Sequence, residues 1–365
     1  MTFDPLNPYN ELPKLPPKGE LQSLEVYKVL LPAVRRLAEL SLTAETLPNP
    51  TVLPATVGLL EAKASSEIEN IVTTHEELFI PNSMERTTDG MTKEVKRYAE
   101  AIGTGWEYVA QRPMDTPLAE AICSTIRDRH MQVRKVPGTT LKNTRTGQVI
   151  YTPPSGEALI RDLLANLFIW LHEDDDGLDV IVKAAILHYQ FVAIHPFTDG
   201  NGRTARILTV LYLVEQKLLS APVLFLSSQI LQQKDTYYQL IQSTTETGDF
   251  APYLNWFIDC INVASEESTA RAEEVLIAID NVSKKILQYN SKIHSERLLD
   301  FLFMGPFVTA QHMVDAGVVG SLSTAYRYLD ILQKSGVLSL DESVRSKHKV
   351  YINPEFLKSL GLSLF

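Results

Sequence analysis

The sequence predicts a mainly α-helical protein in three parts: an N-terminal helical region over 1–94, a helical core over 95–262 followed by a linker helix at 263–293, and a differently organised tail over 294–365. Three observations predict it. Apolar residues recur at three- and four-residue spacing through most of the chain, the period of one helix face. Strand signals are few and short. Only past about residue 294 do short helices alternate with short apolar runs around glycine turns.

Taken in order, the first periodic run is Leu21–Leu42, with Leu24, Tyr27, Leu31, Val34 and Leu37 on the expected buried face. Pro48, Pro50 and Pro54 predict a break after it, because proline lacks an amide proton and clashes with the preceding turn. Thr56–Asn70 and Lys93–Gln111 follow, the latter with Val95, Tyr98, Ala99, Ile102 and Trp106 on one face. Further helices are expected over Leu118–Arg129, Glu157–Leu171, Leu178–Ile194, Asn201–Lys217, Thr236–Thr245 and Tyr253–Asp280. A small hairpin is expected where the turn-like Asn143–Gly147 precedes Gln148–Tyr151 and Pro153-Pro154. In the tail the pattern gives helices Glu296–Phe303, Thr309–Ala316 and Leu322–Ser335, a turn at Gly317–Gly320, and strands at Val337–Leu340 and Lys349–Ile352.

Composition narrows the function. At 365 residues, 45% hydrophobic and 21% charged, the chain can fill two or three cores. A formal charge of −10 argues against a whole-protein affinity for nucleic acid. The two cysteines, Cys123 and Cys260, lie far apart with no ligand-spaced partner, so burial in helices is expected rather than a disulfide or zinc site. The proline-rich start, MTFDPLNPYNELPKLPPKGE, does not read as a signal peptide, and no apolar run reaches membrane-spanning length. A cytoplasmic location is the simplest expectation.

The chemistry concentrates at Ile194–Arg206, IHPFTDGNGRTAR, where one helix ends, a short loop turns and another helix begins. Gly200 and Gly202 permit close backbone approach, and the first amides of the helix starting near Asn201 point unpaired toward the loop, which suits phosphate. Arg203 and Arg206, three apart, add two guanidinium groups on one side of that helix. Asp199 can hold Mg²⁺ against the same phosphates, and His195 on the rim is a natural base.

The string HPFTDGNGRTAR resembles the complete active-site motif of the Fic family of protein adenylyltransferases. The resemblance implies AMP transfer from ATP to a protein hydroxyl, with His195 deprotonating the Ser, Thr or Tyr hydroxyl and Asp199 holding Mg²⁺. It implies that Asn201, Gly202 and Arg203 hold the α- and β-phosphates, within an ATP-contacting set of Gly200, Asn201, Gly202, Arg203, Thr204, Ala205, Arg206, Tyr237 and Tyr238. The family's kinase-like relatives carry lysine where this chain has Gly202, so the resemblance implies AMP transfer over phosphorylation, with phosphocholine transfer a still rarer variant.

Upstream, Ser65–Asn70 resembles the family's inhibitory Ser/Thr-x-x-x-Glu-Asn/Gly motif. The implied inhibitory residues are Ser65, Glu69 and Asn70, with Glu69 pairing to Arg206 and removing the guanidinium that grips the γ-phosphate. The hairpin residues Val149, Ile150, Tyr151 and Thr152 resemble the family's flap, which docks a target segment by strand addition. Asp235–Tyr238 resembles its adenine-pocket segment, though Thr244 and Thr245 stand where an asparagine is frequent.

The tail resembles a winged helix-turn-helix, in which Tyr326, Arg327 and Lys334 would enter a DNA groove with Arg345, Lys347 and Lys349 on the wing. Acidic and basic residues balance from Ser295 onward, so counterion release supplies little affinity. The rival reading is a DNA-binding regulator with a degenerate core, against which the intact His195, Asp199 and Arg203 argue. Self-modification, removal of AMP and a homodimer are left open by the sequence.

Overall fold

The computed structural model describes residues 3–47, 49, 51–73, 90–142, 147–173, 176–341 and 349–362. Helix α1 (Leu24–Glu45) opens at Ser23, whose hydroxyl accepts the Val26 amide. Its buried stripe is Val26, Leu30, Ala33, Leu37, Leu40 and Ala44. Leu24, Tyr27, Leu31 and Val34, expected inside, lie on the exposed side. Both stripes have the helix period. The one containing Ala33 and Ala44 is narrow, and α1 packs along the longest helix of the molecule.

Helix α2 (Val52–Ile68) begins four residues before the expected start. Pro54 does not break it, because the first turn of a helix needs no amide donor. It ends in a left-handed stop: Asn70 has φ 62°, its amide reaches the Glu67 carbonyl, and the Ile71 amide reaches the Ser66 carbonyl. Glu69, expected inside the helix, is therefore its C-cap, and Asn70 lies beyond it. Helix α3 (Gly90–Val109) buries Val95 and Tyr98 as expected, and α4 (Thr116–Arg127) is capped by Asp115, which accepts the Leu118 amide at 2.9 Å.

Strands β1 (Leu141–Lys142) and β2 (Val149–Tyr151) pair antiparallel, with Leu141 opposite Tyr151. The turn expected at 143–146 lies outside the described residues. Helices α5 (Glu157–Leu171), α6 (Val180–Ile194) and α7 (Asn201–Glu215) follow, and α6 is buried almost all round between its neighbours. Helix α8 (Leu226–Gln232), too short to show a period, was not expected. Then come α9 (Lys234–Thr247) and α10 (Ala251–Asn290), which runs unbroken past residue 262. Cys123 and Cys260 are buried thiols in α4 and α10.

The tail contains α11 (Glu296–Phe303), β3 (Phe307–Val308), α12 (Ala310–Asp315), α13 (Leu322–Lys334), β4 (Ser339–Leu340), β5 (Tyr351–Ile352) and α14 (Pro354–Ser359). Its strands form one antiparallel sheet in the order β3-β5-β4, which adds β3 to the two strands expected. Arg345 and Lys347 lie outside the described residues. The tail is fastened to α10 where Asn281 and Lys285 donate to the Glu355 carboxylate at 2.9 and 3.2 Å. Among the described residues no helix is long and apolar enough to cross a membrane.

Candidate active site

Helix α6 stops at His195, whose φ of 50° turns the chain left-handed while its amide still reaches the Phe191 carbonyl at 3.0 Å. Pro196 cannot continue a helix. The loop is closed by Asn201, which accepts the Phe197 amide and donates to the Phe197 carbonyl, both at 2.8 Å. Gly200 has φ 83°, and a Cβ there would stand 3.1 Å from the Cys123 sulfur, so both conformation and space require glycine. Helix α7 then begins with its N-terminal amides at the loop, the site where an anion is favoured.

His195 is held from behind by Arg134, whose Nε donates to the His195 carbonyl at 2.9 Å. Its Nδ1 is buried, and the ring lies against the Val192 backbone carbonyl. Burial pushes the imidazole down to about 4, with the Arg134 charge adding to the shift and Glu69 and Asp199 opposing it. The ring is neutral at neutral pH and can accept a proton.

Arg206 is fully buried in α7 and bound to the end of α2. Its Nε donates to the Ser65 hydroxyl at 2.7 Å, and its Nη2 donates to the Ser65 carbonyl at 2.9 Å and to Glu69 Oε1 at 3.0 Å. Burial alone would lower its pKa, but Glu69, with the Tyr237 and Tyr98 phenols, outweighs burial and raises it. Nη1 is buried without a partner among the described residues. A Cβ on Gly202 would overlap Glu69 Oε1 and lie 3.2 Å from that Nη1, so Gly202 leaves the space that the carboxylate fills. One turn before Ser65, buried Glu61 accepts the Ser227 amide at 2.9 Å, and burial raises its carboxyl to about 7 against the lowering effect of those bonds.

Arg203 is equally buried, and its Nη1 donates to Glu94 Oε1 of α3 at 2.5 Å. The same oxygen takes Arg127 Nη1 from the end of α4. Arg127 Nη2 lies 3.1 Å from Asp199 Oδ2, and Arg203 Nη2 lies 3.8 Å from Asp199 Oδ1. Asp199 also accepts the Gly200 amide at 2.6 Å.

The structure thus gathers His195, Asp199, Gly200, Gly202, Arg203, Arg206, Ser65 and Glu69 at one loop, and it corrects several other assignments. The Asn201 side chain is spent on closing the loop, leaving only its backbone to face a phosphate. Thr204 and Ala205 are fully buried inside the helix, and the Thr204 amide already bonds the Gly200 carbonyl. Tyr237 is a core residue: His188 Nε2 and its hydroxyl are 3.0 Å apart, so its ring is not open to a base. Tyr238 keeps an exposed face. In the hairpin, the Tyr151 hydroxyl is buried and donates to the Ala193 carbonyl at 2.7 Å. Thr152 is engaged by the N-terminal segment, accepting the Tyr9 amide at 2.9 Å and donating to the Pro5 carbonyl at 2.6 Å. Only Val149 and Ile150 remain half-buried and uncommitted in this way. Sequence reasoning missed Glu61, Glu94, Arg127 and Arg134. None carries a local pattern: Glu94, Arg127 and Arg134 reach the loop from elsewhere in the chain, and Glu61 holds Ser227 behind it.

These elements define a helical core with a phosphate-type loop clamped from the N-terminal side, and comparison with known proteins places that architecture. The Fic/DOC family model matches residues 118–213, the Fic/DOC family N-terminal model matches 27–107, and the C-terminal domain of SoFic-like protein adenylyltransferases matches 278–356. The chain belongs to the Fic/DOC family. Its relatives include Protein adenylyltransferase fic-1 of Caenorhabditis briggsae, 30% identical over 181 residues that make up 45% of this chain and 32% of that protein. The Caenorhabditis elegans protein of the same name is 28% identical over 212 residues, 53% of this chain and 37% of that protein. The chain thus spans about a third of the length of these relatives. A Fic family protein from Desulfovibrio desulfuricans G20 superposes with TM-score 0.58 at 17% identity, covering 93% of this chain and 98% of that one. A Fic domain containing signaling protein from Bacteroides thetaiotaomicron gives 0.51 at 19%, covering 66% and 98%. Both show the shared fold.

Proposed function

We propose that this chain transfers AMP from ATP to a protein hydroxyl, its own included, and that the end of α2 restrains it at rest. The observation that carries the proposal is Arg206: a fully buried guanidinium at the start of α7, with one nitrogen unpartnered beside Gly202 and the others held by Ser65 and Glu69. A buried donor without an acceptor costs free energy that an incoming phosphate oxygen would recover. The relatives named as protein adenylyltransferases support the same reading.

In this reading the amides at the start of α7, with Arg203 and Arg206, hold the triphosphate. His195, neutral because it is buried, takes the proton from the attacking hydroxyl. The hydroxyl oxygen bonds to the α-phosphorus as the bond to pyrophosphate breaks. Asp199 is the carboxylate that would hold Mg²⁺: it is nearly half exposed, and among the described residues no set of three metal-ligating side chains stands ready, so the nucleotide's own oxygens would complete the shell. Bound there, the ion would neutralise charge on the phosphates. A target segment would pair with the backbone at Val149 and Ile150, since Tyr151 and Thr152 are taken. No observation favours DNA binding by the tail, where Lys334 is paired with Asp330 at 2.7 Å.

The test is transfer from labelled ATP with Mg²⁺ by the full chain carrying Glu69→Gly, with and without His195→Ala. Label on protein that disappears with His195→Ala is expected. ATP bound without any label transferred would overturn the proposal.

A further inference from the structure

The N-terminal region contributes a second carboxylate to the loop, and its geometry differs from that of Glu69. Glu94, Arg203, Asp199 and Arg127 form a closed ring of alternating charge: each arginine gives its Nη1 to Glu94 and turns its Nη2 toward Asp199. The ring has an inner and an outer end. The Glu94 side chain is 16% exposed and that of Asp199 48%, so Glu94 is the covered anchor and Asp199 faces solvent.

A guanidinium fixed at one terminal nitrogen has the direction of the other fixed too, because the group is planar and rigid. Among the described residues Arg203 has no other hydrogen-bond partner for its head, and its Nε is buried and unpaired. Glu69 stands where a side chain on Gly202 would, in the space beside the phosphate-facing Arg206 nitrogen. Glu94 bonds Arg203 and Arg127 on the side away from Asp199.

We infer that Glu94 is a positioning residue of the phosphate site, presetting Arg203 and Arg127 so that their outer Nη2 ends, which face Asp199 at rest, meet phosphate oxygens, and that it stays bound to both when a nucleotide occupies the loop. Arg127, outside the sequence motif, thereby joins the cationic lining of the site. The inference rests on the reading of this loop as an ATP site.

Two explanations of a carboxylate beside a phosphate site predict opposite signs. If Glu94 merely competed with the phosphates, its neutralisation would tighten ATP binding by removing a like charge. If it positions Arg203, neutralisation loosens the arginine and weakens ATP binding despite the lost repulsion. The experiment is calorimetry on the full chain carrying Glu69→Gly, to open the site, and His195→Ala, to stop transfer, with and without Glu94→Gln. The probes are Mg·ATP and adenosine.

The dissociation constant for ATP is expected to rise about tenfold while that for adenosine stays within about twofold. The shorter Glu94→Asp, which keeps the charge but withdraws it from the arginines, is expected to show the same phosphate-selective loss. Tighter or unchanged ATP binding with Glu94→Gln overturns the inference, and so does an equal loss for ATP and adenosine, which marks a structural role. Failure of the parent chain to bind ATP at all would instead sink the nucleotide reading, and this inference with it.

Discussion

At His195 the end of a helix and the proposed base are one residue, and both properties come from its left-handed turn into a crowded loop. The depressed pKa has two consequences of definite sign. Transfer by the Glu69→Gly chain is expected to stay level from pH 8 to about 5.5 and to fall only at about 4 or below, where the folded imidazole takes up its proton, because the charge of Glu69 that favours protonation is gone. An unshifted histidine would lose half its activity near its ordinary value of about 6.5. Initial rates across pH decide between them, and a midpoint near the ordinary value would remove the burial argument. Stability follows the same shift: between about 6.5 and 4 the unfolded imidazole binds a proton that the folded one refuses, so His195 lowers stability as pH falls through that window.

Helix α2 acts as an element because its last turn and its stop present Ser65 and Glu69 to one guanidinium. A hydrogen bond to a charged partner contributes about 1.5–3 kcal/mol, so Glu69→Gly is expected to raise initial transfer rates by roughly ten- to hundredfold. The double change Glu69→Gly with Arg206→Ala should lose that gain, and a single variant no faster than the unchanged chain would end the idea of restraint. The helix stop makes a separate prediction. Asn70 sits at φ 62°, where a residue with an ordinary Cβ costs about 1–2 kcal/mol. Asn70→Ala is therefore expected to loosen Glu69 and raise the rate severalfold, whereas Asn70→Gly, which suits that conformation, should leave it near the starting level. Equal rates for both variants would show that the stop does not set the position of Glu69.

Across the whole molecule α10 is the spine, packed against α1, α6, α8 and α9 on the core side and α14 and α11 on the tail side. Arg36 of α1 reaches Glu266 at 2.8 Å, and Arg271 donates to the Leu360 carbonyl. Because one helix carries both packing surfaces, damage at its tail end should be felt as a loss of common stability. Ile286, almost fully buried, is the test: Ile286→Ala should cost about 2–5 kcal/mol. Urea unfolding followed by circular dichroism and by tryptophan fluorescence should shift together. Separate midpoints would mean that the tail unfolds alone.

The sequence by itself determined the helical class, most of the element order and the motif from His195 to Arg206, because helix period, proline and glycine chemistry, and a glycine-rich turn into a helix start are local properties. The resemblance of Ser65–Asn70 to a family motif singles out Ser65 and Glu69, and their i, i+4 spacing allows both to face one partner from the end of α2. The sequence could not decide which of two apolar stripes of α1 turns inward, nor that Tyr237 goes to the core while Tyr238 stays open, because each choice depends on the partner surface. Nor could it reveal Glu61, Glu94, Arg127 and Arg134. Their positions along the chain carry no period or motif, and only packing of α2, α3 and α4 around the loop, with Arg134 beside it, brings those charges within bonding distance of groups far away in sequence.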